Sequence, residues 1–305
     1  MKRYVAARLL QSFVVLLGVS AIAFLLMYLT GDPVPLLLPA DATVERIAEF
    51  RRVMGFDRPV WVQYGLFLSR ALRGDLGRSV WFNQPVLPIV LSRVPKTAQV
   101  AVGALALGCL IAFPLGIAAA LRARSWWAPA LMAGAIVGYS TPTFWLGLLL
   151  ILTFSVGFGW LPASGSGSAL HLIMPVVTLG TNVGALLVRL VWSGLLEVLG
   201  QDYVRTARSK GVAERLVLWR HALKNALLPV ITVIGLELAG LLGGAVVTET
   251  VFAWPGMGRL TVESIYNRDY PMVQGLVLVM AVIFVVANLI VDVSYAALDP
   301  RVRYE

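Results

Sequence analysis

Residues 202–229 read DYVRTARSKGVAERLVLWRHALKNALLP. This polar, strongly basic stretch interrupts a chain that is otherwise mostly apolar. VGALLVRLVWSGLLEVLG runs up to it and VITVIGLELAGLLGGAVV follows it. A basic loop between two apolar spans belongs on the cytoplasmic side of a membrane. The loop also carries helix signals. Asp202 can cap a short helix, and Gly211 can end it, because glycine tolerates the left-handed backbone that closes many helices. Val212 opens a second amphipathic run, with Leu216, Trp219, Leu223 and Leu227 at helical spacing. The spacing predicts a helix, a glycine turn and a second helix, presented to the cytoplasm as a firm surface.

Composition agrees with a membrane setting. The chain has 305 residues, of which 59% are hydrophobic and 13% charged. A soluble domain of this size has no use for so much apolar surface, so the fold class is an all-α, multi-pass membrane protein. The net charge of +9 follows from the bias of Lys and Arg towards the cytoplasmic side and does not call for nucleic acid. The single cysteine, Cys109, lies within an apolar span and reads as a small buried hydrophobe.

Outward from the loop, the apolar runs number about six. Lys2, Arg3 and Arg8 precede an uncharged run over 9–29, long enough to cross a bilayer, which takes ~20 residues. A cleaved signal peptide would have a shorter core, and Ala40–x–Ala42 lies well past the end of this run. Residues 1–30 are therefore read as an N-terminus and first transmembrane helix, and 31–96 as a small external helical subdomain. Within it, Thr43 caps a helix bearing Ile47, Phe50 and Met54. Pro59 opens another, with Trp61, Tyr64, Leu68 and Leu72, that ends near Gly74. Residues 97–305 form a five-helix core with spans at 97–121, 126–156, 172–190, 228–247 and 272–291. Arg189 falls near the end of its span, where it can snorkel to headgroups. Six spans place both termini in the cytoplasm, and Arg301 and Arg303 in the tail agree.

The loop resembles the EAA loop of ABC-transporter permeases, the membrane subunits of bacterial importers. Ala207, three residues, Gly211 and then Leu228-Pro229 match its pattern, although Arg205 stands where the general motif has an acid. DYVRTARSKG followed by RHALKNALLP is similar to the dipeptide, oligopeptide and nickel branch. GDLGRSVWFNQPV, TPTFWLGLLLI, GWLPASG, HLIMPVVTLG, ETVFAWPGMGRL and DYPMVQG extend that resemblance over essentially the whole chain. It implies the transmembrane permease subunit of an importer in the bacterial inner membrane. Peptides or similar small solutes would be taken up by alternating access. It also implies a second, related permease subunit in a heterodimer, two cytoplasmic ATPase subunits and an external substrate-binding protein, all within membrane lipid. The loop would dock on an ATPase, with Asp202, Tyr203, Arg205, Ala207, Arg208, Lys210, Gly211, Glu214, Leu228 and Pro229 in the coupling region. The small side chain of Ala207 would let its helix approach that partner closely.

The chain's own chemistry is sparse. There is no G-x-x-x-x-G-K-[ST], so ATP and magnesium would sit on partner chains, and this chain is read as holding no cofactor. There is no H-E-x-x-H and no cysteine–histidine metal cluster; His171 and His221 stand alone. Gly165-Ser166-Gly167 lies in a flexible stretch and reads as a linker rather than a nucleophile. Pro142 in Tyr139-Ser140-Thr141-Pro142-Thr143 predicts a kink, either for packing or as a polar stripe facing a pore. Glu237 is the one acid near the middle of a span, where it lines a pore or a subunit interface, or else lies near enough to the end to reach solvent. Glu249, Trp254, Pro255 and Gly256 form an external turn and candidate gate. The competing class is an ion-coupled secondary carrier, which generally shows inverted repeats and several buried ionisable groups. No clear repeat and only Glu237 are found. A membrane enzyme lacks a catalytic constellation here.

Overall fold

The computed structural model describes residues 2–29, 43–54 and 57–298. The Ala40–x–Ala42 sequence and the tail arginines Arg301 and Arg303 lie outside these residues. Thirteen helices are described: α1 Lys2–Leu29, α2 Val44–Met54, α3 Val60–Leu72, α4 Val86–Leu121, α5 Trp127–Ser140, α6 Thr143–Leu150, α7 Leu170–Leu199, α8 Asp202–Ser209, α9 Glu214–Leu216, α10 Leu223–Leu242, α11 Val246–Val251, α12 Met257–Tyr266 and α13 Tyr270–Leu298. Five of the helical runs are long and apolar enough to cross a membrane, and six when α5 and α6 count as one bent span.

The two small helices near the N-terminus form for the reasons their sequences give. Thr43 Oγ1 accepts the Arg46 amide at 3.3 Å, with Glu45 in the first turn and Arg51 and Arg52 in the last. Pro59 accepts the Val62 and Gln63 amides at the head of α3, and Gly74 ends the segment at φ +80. The Tyr64 hydroxyl lies 2.8 Å from Ser20 Oγ and also donates to the Leu17 carbonyl, which ties α3 to α1.

The core is the pair α4 and α7. They run parallel and approach closely because small residues meet across the contact. A Cβ on Gly180 would stand 2.9 Å from the Ala104 carbonyl oxygen, and one on Gly116 would stand 2.8 Å from Val191. Ala112, Ala119, Val183, Leu187, Val188 and Val191 fill the space between. Helix α13 packs antiparallel to α1, with Arg8 paired to Asp292 at 3.3 Å near one end and Gln274 Nε2 donating to the Ala23 carbonyl at 3.0 Å towards the other.

Several spans differ in extent from the sequence reading. Helix α4 begins at Val86, so the last part of 31–96 belongs to a long helix that runs through Pro95. Helix α7 continues to Leu199, which leaves Arg189 well inside it. Helix α10 stops at Leu242, where Gly243 and Gly244 break it, so Glu237 lies towards its end rather than at the middle of a span. The kink at Pro142 is a break: α5 and α6 meet at 96°. Proline lacks the amide that would continue the ladder. Thr141 Oγ1 donates to the Val137 carbonyl at 2.7 Å, and Asn182 Nδ2 of α7 donates to the Tyr139 carbonyl at 3.0 Å. These bonds satisfy backbone oxygens that the break leaves over.

Candidate functional site

Helix α8 ends on Gly211 in a complete Schellman motif. Gly211 has φ +77; its amide donates to the Arg208 carbonyl at 2.9 Å, and the Val212 amide reaches the Ala207 carbonyl at 3.3 Å. Val204, Ala207 and Val217 are buried together, with Val198, Leu199 and Val212 packed against them. Ala207 thus packs inside the loop itself. Its small side chain lets α8 lie against the loop's second half. Asp202 occupies the first turn of α8 behind Gln201, with no side-chain cap bond, and pairs with Arg205 at 3.5 Å in solvent. Its contribution is the favourable placement of negative charge at a helix start.

The second half of the loop also departs from a simple amphipathic helix. After α9 the chain widens into a π turn over Val217–Ala222 before α10. The wider turn shifts the register. Val217, Leu218, Ala222, Leu223 and Ala226 are buried, whereas Leu216 and Trp219 are exposed. Arg208 bonds Glu214 across the turn, with Nε donating to Oε2 at 3.0 Å, and this bond raises the guanidinium pKa. Tyr203 is tied to Asn225 Nδ2 at 2.9 Å. Arg205, Arg208, Lys210 and Gly211 remain on the exposed outer surface. Pro229 lies inside α10, and Leu228 beside it is half-buried. The result is a small folded unit with its own apolar core and a basic outer face, joined without a flexible linker to α7 and α10.

The opposite end of the bundle holds a second polar constellation. Glu249 is fully buried. Thr97 Oγ1 donates to Glu249 Oε1 at 2.7 Å, the Arg259 amide donates to Oε2 at 3.0 Å, and the Gly258 amide also bonds the carboxylate. Thr97 Oγ1 in turn accepts the Met257 amide at 2.9 Å. The carboxylate therefore caps the start of α12 from α11, and α4 supplies the third partner. Burial pushes the Glu249 carboxyl above its ordinary range, and the three hydrogen bonds draw it partly back. A Cβ on Gly256 would fall 2.2 Å from Glu249 Oε1, so the carboxylate occupies the room a side chain would need. Trp254 is buried, donates from Nε1 to the Lys96 carbonyl at 2.8 Å, and lies under the Lys96 ammonium. Pro255 completes the turn between Trp254 and Gly256.

Asp269 forms a second clasp at the same end. It accepts the Ser79 hydroxyl, the Val80 and Trp81 amides at 3.2 Å each, and the Met272 amide at 3.2 Å. It caps α13 and fastens the 79–81 segment to it. Sequence alone does not assign Thr97, Gly258, Ser79 and Asp269 to these clasps. Two signals were present: a second glycine directly after Gly256-Met257, and an acid two residues before Pro271 at a helix start. Their partners are distant in sequence, so the chain gave no direct sign of them.

The remaining expected residues do not join either constellation. Ser140 and Pro142 are exposed at the α5–α6 break and Thr141 is half-buried there. Glu237 is half-buried and makes no hydrogen bond or ion pair with any described residue. Among the described residues, no group of three His, Cys, Asp or Glu side chains is placed to hold a metal ion.

Known proteins share both the sequence and the fold. The model for "Binding-protein-dependent transport system inner membrane component" matches residues 112–304, and its N-terminal companion matches 1–101. The chain is 42% identical over 306 residues to the glutathione transport system permease protein GsiC of Salmonella typhimurium, covering all of both chains. It is 39% identical over 333 residues to the dipeptide transport system permease protein DppB of Alkalihalophilus pseudofirmus, again over all of both. An inward-facing structure of the MetNI methionine ABC transporter aligns at a TM-score of 0.59 and 21% identity, covering 69% of this chain and 96% of that one, a likeness of fold. The chain belongs to the binding-protein-dependent inner-membrane components, the permease subunits of ABC importers.

Proposed function

We propose that this permease passes peptides or similar small solutes inward by alternating access, driven by ATP and magnesium on two separate ATPase subunits. The folded 202–229 loop is the lever. One observation carries this reading: a polar loop with its own buried core and a Schellman-closed turn joins two membrane helices directly, while its basic outer face stays uncovered. Such a unit transmits displacement to α7 and α10 rather than absorbing it. The solute class follows from the relatives, whose names specify glutathione and dipeptides.

A second, related permease subunit completes the path, as a heterodimer, and an external binding protein delivers solute. The loop and both termini lie in the cytoplasm. The α11–α12 turn, with Glu249, Trp254, Pro255 and Gly256, lies outside and serves as an external gate element. Glu237 faces the path or the second subunit, because an ionisable residue near a membrane helix end without a partner among the described residues is expected to meet water or another protein.

Reconstitution tests the reading. Proteoliposomes holding the complete complex and its binding protein should take up glutathione or a dipeptide only with hydrolysable ATP. Uptake driven by a proton or sodium gradient without ATP would refute it in favour of a secondary carrier. Single cysteines on a Cys109→Ala background test orientation: 57–85 should label from outside intact cells, and 202–224 should not.

A further inference from the structure

Helix α7 carries a polar face in the middle of an apolar chain. Asn182, Arg189, Ser193 and Glu197 are spaced by seven, four and four residues, which places them on one side of a helix. The opposite side, with Val183, Leu187, Val191 and Leu195, is buried. Arg189 is exposed and makes no hydrogen bond or ion pair with any described residue. It precedes the helix end at Leu199 by ten residues, roughly 15 Å of helix.

The open faces of α1, α5 and α13 are more apolar. Helix α1 exposes Leu10 and Phe13, α5 exposes Val137, and α13 exposes Val282 and Val286. Those faces suit lipid. A guanidinium and a carboxamide on one stripe do not, and ionisable residues within membrane helices face water-filled space or protein. Asn182 also fixes where the stripe lies, because its side chain bonds the Tyr139 carbonyl at the α5–α6 break, beside exposed Ser140. The break and the polar face of α7 are therefore one continuous surface.

We propose that this surface lines the solute path and that Arg189 is the cation that receives the solute's carboxylate on the cytoplasmic half of the route. The assignment rests on the peptide-importer reading above. A peptide carries at least one carboxylate at neutral pH, and a guanidinium offers it a forked pair of donors. Asn182 sits about two turns further out on the same stripe and supplies a neutral polar contact. Arg189 thus acts as a specificity-determining residue for anionic groups within the membrane subunit.

The test uses the assembled transporter in proteoliposomes on a Cys109→Ala background, with alanyl-alanine and glutathione as probes. Arg189→Cys should keep its assembly with the ATPases and lose roughly tenfold or more of its uptake. Its thiol should react with water-soluble methanethiosulfonates, and the cationic reagent should restore uptake where the anionic one does not. Arg189→Lys should transport better than Arg189→Cys and less well than the wild type, because an ammonium keeps the charge and loses the fork. If the wild-type complex takes up neither probe, the peptide-importer reading falls and the carboxylate assignment falls with it. If the wild type transports and Arg189→Cys transports equally well, only the assignment of Arg189 falls. Equal effects of the two reagents, or reaction only with a lipid-soluble thiol reagent, would also overturn it. Failure of both Arg189→Cys and Arg189→Gln to assemble would make Arg189 a packing residue and overturn it too.

Discussion

Gly211 offers a clean perturbation of the lever, because its backbone and its surroundings act separately. A Cβ added there meets nothing within 4 Å, so substitution causes no collision. The whole penalty comes from φ +77, a conformation that L residues resist. Alanine should cost about 1–2 kcal/mol there, and valine more, since its branched side chain is less tolerant still. Asparagine enters the left-handed region more readily and should cost least. One to two kcal/mol lowers the population of the closed turn by a factor of about 5–30. The turn holds Val212 over Ala207 and Val217, so opening it exposes that small core. The assay is hydrogen exchange across 202–217 in the purified complex, together with ATP-dependent uptake. Exchange should speed up in the order asparagine, alanine, valine, and uptake should fall in the same order, while insertion of the spans is unchanged. Wild-type exchange and uptake in Gly211→Val would refute the argument that this turn keeps the lever rigid.

Ala207→Asp should place a carboxylate among Val204 and Val217; an unpaired buried charge costs several kcal/mol, so limited proteolysis should cut the loop and ATPase association should weaken. Thr97→Val keeps shape but strips one partner from Glu249 and the acceptor of the Met257 amide; at about 1–3 kcal/mol for each buried group left unpaired, the complex should melt at a measurably lower temperature. Asp269→Asn exchanges an acceptor oxygen for a donor at a site that takes four donors, so amides 79–81 should lose protection from hydrogen exchange while those of α8 do not. Glu237→Gln should alter uptake and leave assembly intact if the side chain faces the path, whereas dissociation of the complex would place it at the subunit interface.

Local chemistry made much of this architecture legible. Apolar runs long enough for a bilayer gave the spans. Thr43, Pro59 and Gly211 marked helix ends that the structure places at or next to them. What stayed hidden depends on contacts or on register. Helix α4 runs back to Val86 because Val86 and Val90 pack on Met257, Leu260, Met272 and Leu276, residues far along the chain. The buried face of the second loop helix does not follow from simple spacing, because a π turn over Val217–Ala222 adds a residue. Leu216 and Trp219 turn outward as a result. Glu249 could be seen as part of a polar turn, but its burial depends on Thr97, which only the folded chain brings to it. Arg189 looked like a span terminus because the apolar run weakens there, while the helix itself continues to Leu199.

Site-specific photo-crosslinking tests the lever most directly, because the fold separates its two faces. Arg205 is exposed on α8 and Ala207 is buried beneath it. A photoreactive phenylalanine at 205, in the complete complex, should cross-link to an ATPase subunit, and the yield should change when ATP is bound. A small photoreactive aliphatic residue at 207 should instead capture this chain's own 212–217 segment. Absence of any ATPase adduct from 205 in a complex that transports would contradict the account.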